Sequence, residues 1–269
     1  GTGARRSEAA MDAATMLAAL ASGALIGLIL GLVGGGGSIL AVPLLVYVVG
    51  VGSTHAAIGT AAVAVSVNAL ASLTGHARAG RVKWRCAGVF AAAGVIGAAL
   101  GAELGKAFDG KRLLVLFGVL MIGVGLSMLR KRKAAWAPDV RLTRTSARTL
   151  LPRLLPIGLG TGLAAGFFGI GGGFLIVPGL ILATAMPLEF AIGTSLVVVS
   201  ALGLTTAGSY AVSGLVDWGI TGFLVAGGVL GSMAGLKLGK RLAAREGVLE
   251  RGFAAVVIAV GGYVILTSF

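Results

Sequence analysis

The sequence predicts an all-α integral membrane protein made of two inverted-topology repeats, each a broken or re-entrant helical hairpin followed by three transmembrane helices. Three observations predict this class. The 269 residues are 57% hydrophobic and only 12% charged, with a mean hydropathy of +1.01, whereas a soluble domain carries about 25% charged residues. The second half of the chain repeats the first. The basic residues gather in loops that share one side only if the two copies point in opposite directions.

The elements follow from the run of apolar residues. Stretches at 16–33, 39–50, 58–75, 87–105 and 113–129 are followed by a polar, basic segment at 130–153. Further stretches lie at 154–168, 174–186, 190–210, 219–236 and 248–268. A span needs roughly 20 apolar residues, so 39–50 and 174–186 are short. Each lies directly after a glycine-rich break, which predicts two hairpins that enter and leave on one side. Residues 1–10 read as an appended stretch ahead of Met11 and are set aside. The resulting organisation is a tail at 1–15, a first membrane repeat at 16–129, a linker at 130–153 and a second repeat at 154–269.

The repeat is visible residue by residue. Gly27, Gly31, Gly34, Gly36, Gly37 and Pro43 fall on Gly162, Gly166, Gly169, Gly171, Gly172 and Pro178. Ala57-Ile58-Gly59-Thr60 falls on Ala191-Ile192-Gly193-Thr194, Ser66 on Ser200, and Trp84 on Trp218. Gly97, Gly101 and Gly105 fall on Gly231, Gly235 and Gly239. Glycines four apart read as close helix–helix packing, because small residues let membrane helices approach. The two tryptophans read as interfacial anchors.

Charge orients the halves. Lys and Arg favour cytoplasmic loops. Arg78, Arg81, Lys83 and Arg85 occupy one loop. Arg130, Lys131, Arg132, Lys133, Arg141, Arg144, Arg148 and Arg153 occupy the linker, and Lys237, Lys240, Arg241, Arg245 and Arg251 the last loop. A hairpin plus three spans in each half puts all three on the cytoplasmic side and the C-terminus outside. The loop of the second repeat that matches 76–85 lacks basic residues and carries Asp217. Inverted repeats with interrupted segments at corresponding positions mark a secondary transporter, with its site between the repeats.

The breaks carry the candidate site. Adjacent glycines inside a helix cost about 1 kcal/mol each relative to alanine, and irregular backbone is tolerated in a bilayer only inside protein or beside a cavity. Helix starts expose N–H groups that suit an anion, and glycines let such groups form a concave nest. Gly34, Gly35, Gly36, Gly37 and Ser38 in the first repeat, and Gly169, Gly171, Gly172 and Gly173 in the second, are therefore expected to hold a small anion near the midplane. Thr60, Ser66, Asn68, Thr194, Ser195 and Ser200 can add polar groups, although a membrane serine often bonds only its own helix. The scarcity of intramembrane Asp and Glu fits an anion path better than a cation path.

Other classes find little support. One cysteine, Cys86, and two histidines, His55 and His76, give no metal-ligand cluster, and no cofactor is expected. Basic residues lie between apolar spans without interleaved aromatics, so nucleic acid is not an expected partner. Nor is an enzyme expected, because no Ser–His pair falls at membrane depth. The expected partners are a small anionic substrate and membrane lipid, and the glycine-lined faces are compatible with a homodimer. A permease or channel for another solute, such as a metal cation, is the alternative.

The paired motifs Gly31-Leu-Val-Gly-Gly-Gly-Gly-Ser-Ile-Leu-Ala-Val-Pro43 and Gly166-Phe-Phe-Gly-Ile-Gly-Gly-Gly-Phe-Leu-Ile-Val-Pro178, each followed by Ala-Ile-Gly-Thr, resemble the TauE/SafE sulfite exporter family. The resemblance covers both repeats. It implies a permease of a bacterial cytoplasmic membrane that moves sulfite, sulfate or small organosulfonates. Gly35 against Ile170 is one departure, which makes the two half-sites unequal.

Overall fold

A computed structural model describes residues 13–129, 144–169, 173–242 and 246–268. Every element among them is helical. The first half contains α1 (Ala13–Val33), a 3-10 segment (Gly34–Leu40), α2 (Ala41–Pro43), a π-helical turn (Leu44–Val49), α3 (Thr54–Arg78), α4 (Trp84–Ala107) and α5 (Gly110–Leu129). The second contains α6 (Arg144–Phe168), α7 (Gly173–Thr184), α8 (Leu188–Val212), α9 (Trp218–Leu242) and α10 (Glu246–Ser268). Seven of these helices are long and apolar enough to cross a membrane, and Gly36–Val49, Gly173–Thr184 and Ala254–Ser268 are shorter apolar helices. The helix α6 starts at Arg144, inside the stretch read as linker. Residues 130–143 lie outside the described residues.

Packing is reciprocal between the halves. The helix α1 packs on α9 and α6 on α4, while α3 packs on α8, α5 on α10, α3 on α9 and α4 on α8. Exchanging α1 with α6, α3 with α8, α4 with α9 and α5 with α10 returns the same set of pairs.

Glycine contacts fix the directions. A β-carbon at Gly23 would meet Leu224, one at Gly27 would meet Gly228, and one at Gly31 would meet Ser232, so α1 and α9 run parallel. Gly97 lies on Leu159, Gly101 on Leu163 and Gly105 on Phe167, so α4 and α6 also run parallel. By contrast Gly59 lies against Tyr210 and Gly203 against Ser66, which makes α3 and α8 antiparallel. Gly118 at Gly261 and Gly125 at Ala254 make α5 and α10 antiparallel as well. Between α1 and α9, α4 and α6, and α5 and α10 the missing side chain lets backbone approach backbone, whereas between α3 and α8 it admits the Tyr210 and Ser66 side chains; such dispersion contacts hold helices together without help from the hydrophobic effect.

Candidate functional site

Each half begins with a hairpin that turns on one glycine. Gly34 has φ 72° and Gly169 has φ 65°, the left-handed region that glycine enters without steric cost. After the first turn the chain folds back on itself, since a β-carbon at Gly37 would meet Leu30 and Ile26. The second turn returns α7 along α6, where Gly179 faces Ile157 and Thr161.

The two turns do not meet at the midplane, contrary to the expectation from sequence. Gly34 packs on Ile192 near the start of α8, and Gly169 packs on Ile58 near the start of α3. The antiparallel register of α3 on α8 sets Ile192 level with the end of α3. At 1.5 Å per residue the turns are therefore about 28 Å apart along that pair. The reason is length: α1 and α6 have 21 and 25 residues, so each reaches the far side before it turns.

What meets in the interior is the pair of returning arms. The 3-10 segment Gly34–Leu40 packs against α7, and also against α1, α3 and α8. At a 3-10 rise near 2.0 Å per residue its seven residues cover about 14 Å, half the distance between the turns. Gly34, Gly36, Gly37, Ser38, Ile39 and Leu40 are buried, and Gly173 is the buried first residue of α7. Gly171 and Gly172, with Ile170, lie outside the described residues, and of Gly35 only its place in the 3-10 segment is described.

The repeated Ala-Ile-Gly-Thr tetrapeptide interlocks the halves. Ile58 and Ile192 fill the space beside Gly169 and Gly34. One residue on, Gly59 and Gly193 admit the carbonyl groups of Leu215 and Arg81. Thr60 Oγ1 then accepts the backbone N–H of Asp217 at 2.9 Å, and Thr194 Oγ1 accepts that of Lys83 at 3.0 Å. Asp217 and Lys83 occupy matching positions just before Trp218 and Trp84, the first residues of α9 and α4. Each threonine thus holds the helix start of the opposite half. Sequence reasoning missed this use of Thr60 and Thr194; its one signal there is the equal spacing of Thr60 to Lys83 and of Thr194 to Asp217.

The interlocks differ in what surrounds them. Around Lys83, Arg81 faces Glu189 at 3.8 Å, and the Lys83 ammonium lies 4.4 Å from the centre of the Phe190 ring. At the other end Asp217 caps α9, its Oδ1 accepting the Ile220 N–H at 3.0 Å.

Three of the candidate hydroxyls bond their own helix. Ser66 donates to the Ala62 carbonyl at 2.6 Å, Ser200 to that of Leu196 at 2.8 Å, and Ser195 to that of Ile192 at 2.7 Å. Asn68 is fully buried on α3, with Nδ2 at 3.5 Å from the Leu224 carbonyl of α9. Its Oδ1 has no hydrogen-bond partner among the described residues. No group of three or more His, Cys, Asp or Glu comes together among the described residues.

Known proteins match along nearly the whole chain. The family model described as Sulfite exporter TauE/SafE matches residues 19–264. The chain belongs to the TauE/SafE family. A probable membrane transporter protein of Xylella fastidiosa strain Temecula1 is 51% identical over 259 residues, covering 96% of this chain and 98% of that protein. The probable membrane transporter protein YunE of Bacillus subtilis is 26% identical, covering 88% and 93%. A probable membrane transporter protein of Haemophilus influenzae is 27% identical, covering 91% and 96%. No solved structure matches significantly. This TauE/SafE chain is a multi-pass membrane transporter, and its hairpins, arms and interlocks fall inside the matched residues.

Proposed function

We propose that this TauE/SafE protein is a secondary transporter of small sulfur oxyanions (sulfite, sulfate or organosulfonates) across the bacterial cytoplasmic membrane. The two halves are inverted-topology repeats, and the single observation that carries this is the antiparallel pairing of each of α3 and α5 with its own counterpart, α8 and α10. A two-fold axis lying in the membrane plane requires antiparallel counterparts, and this is the architecture of alternating access.

Following the helix directions, the loop 79–83, the linker and the loop after α9 share one side. The three basic clusters are all there, so that side is cytoplasmic, and the N-terminal end of α1 and the C-terminal end of α10 face outward. The passenger sits where the Gly34–Leu40 arm crosses α7, with backbone amides of the glycine-rich arms and the Ser38 hydroxyl as donors. Neutral dipoles hold an oxyanion firmly enough to select it and loosely enough to release it. Thr60 and Thr194 act on the frame around that crossing, and Ser66 and Ser200 line α3 and α8 behind it.

Purified protein in liposomes tests this. Radiolabelled sulfite loaded inside should exit faster than from protein-free vesicles, compete with sulfate, and slow in Ser38→Ala. No protein-dependent flux of any sulfur oxyanion would refute the substrate class.

A further inference from the structure

A groove of about 390 Å³ opens where α5 begins and α10 ends, lined by Phe108, Lys111, Arg112, Val115, Leu116 and Ser268. Its apolar walls are open to the surroundings, with Phe108 44% and Leu116 43% exposed. On a spanning helix such a face lies against acyl chains. Phe108 is a fixed wall, its ring edge-on to that of Phe167 with centroids 5.1 Å apart. The lining is ordered by depth. Lys111 and Arg112 occupy the first turn of α5, and Val115 and Leu116 lie four residues on, about 6 Å farther along the axis. Positions four apart share a helix face, so each cation stands over an apolar residue.

Neither cation is spent inside the protein. The ion pairs among the described residues are Arg81 with Glu189 and Lys106 with Glu103. Asp109, the neighbouring acid, caps α5, its Oδ1 accepting the Arg112 backbone N–H at 3.1 Å. Nor do the two cations help their own helix, because positive charge in a first turn opposes the macrodipole. They also sit at the end of α5 away from the basic linker, where membrane proteins carry few Lys and Arg.

We propose that this groove binds an anionic phospholipid, with its phosphate between Lys111 and Arg112 and one acyl chain along Phe108, Val115 and Leu116. The order of the lining selects that occupant. A soluble anion would leave three apolar walls uncovered, and a neutral lipid would leave two cations unanswered. Arg meets phosphate oxygens with parallel N–H bonds, and Lys adds a point charge. Basic pockets beside membrane helices suit such head groups. A second groove, of about 290 Å³, gives the contrast: Ala13, Met16, Leu17, Leu20 and Phe223 line it. Without a charged lining residue it takes an acyl chain of any lipid. Lipid bound in the first groove ties the start of α5 to the end of α10. The site is independent of the sulfur-oxyanion reading, since none of its residues belongs to the arms or the interlocks.

The test uses full-length protein in neutral detergent with added phosphatidylglycerol, phosphatidylcholine at the same mole fraction, or sodium phosphate. A ligand that binds the folded state raises the apparent melting temperature. Phosphatidylglycerol should give a saturable rise that phosphatidylcholine and phosphate do not. The rise should disappear in the double variant Lys111→Gln/Arg112→Gln. It should also disappear in Leu116→Trp, which fills the groove and keeps both cations. If the double variant does not fold, the two single glutamine variants replace it, each with a reduced rise. Equal rises from both lipids, or a full rise in these variants, would overturn the site and leave an ordinary lipid annulus. A rise from phosphate that matches that from phosphatidylglycerol would overturn the lipid as occupant in favour of a soluble anion.

Discussion

Thr60 Oγ1 and the backbone N–H of Asp217 form a 2.9 Å hydrogen bond across the two halves, and Thr194 with Lys83 reproduces it at the opposite end. The alternating access proposed above would open one end at a time, which places these two bonds where each gate must loosen. Replacing either threonine by valine keeps the shape and removes the acceptor. Each variant should lose about 1 kcal/mol of stability, a typical net worth for one hydrogen bond, read as a lower melting temperature in detergent. Serine at the same position should restore it. The two valine variants should also bias accessibility in opposite directions, measured by thiol labelling from each side.

Ion pairing at the Thr194–Lys83 interlock should matter less. Arg81 and Glu189 are 3.8 Å apart with side chains 39% and 50% exposed, and exposed pairs are worth roughly 0–1 kcal/mol. Glu189→Gln should therefore shift melting by less than Thr194→Val does, and high salt should erase the difference from wild type.

Close helix contacts should be intolerant where backbone faces backbone. A β-carbon at Gly97 would meet the Leu159 carbonyl and one at Gly231 the Ala24 carbonyl. Overpacking of this kind costs typically 1–3 kcal/mol, so Gly97→Val and Gly231→Val should melt well below wild type. A β-carbon at Gly160 or Gly222 would instead meet no atom of the described residues within 4 Å; alanine there should be neutral or stabilising by up to about 1 kcal/mol.

Orientation can be read with single thiols. In a Cys86→Ala background, Gly52→Cys should react with an impermeant maleimide on intact cells. Ala79→Cys, in the exposed turn after α3, should react only after permeabilisation. Labelling of both from outside would contradict opposite placement of these loops.

Much of this molecule was legible in its residues. Hydropathy marked the spans because a bilayer forces long, uninterrupted apolar helices. The doubled glycine motif marked both turns, since Gly34 and Gly169 enter the left-handed region there. Less legible was depth. Sequence placed the glycine breaks at the midplane, yet α1 and α6 are long enough to carry the turns to opposite ends, and only the returning arms meet inside. Nor could spacing tell that Thr60 and Thr194 would spend their oxygens on the opposite half.

The amino-acid sequence alone determined the membrane class, the repeat and the family, because each is written in local composition and short motifs. Tertiary structure alone decided which residues face one another: Ile58 with Gly169, Thr60 with Asp217, Asn68 with Leu224. These pairs join segments far apart in the chain, and their contacts depend on the register of one helix against another. No single segment carries that information, because register is set by the packing of both surfaces together.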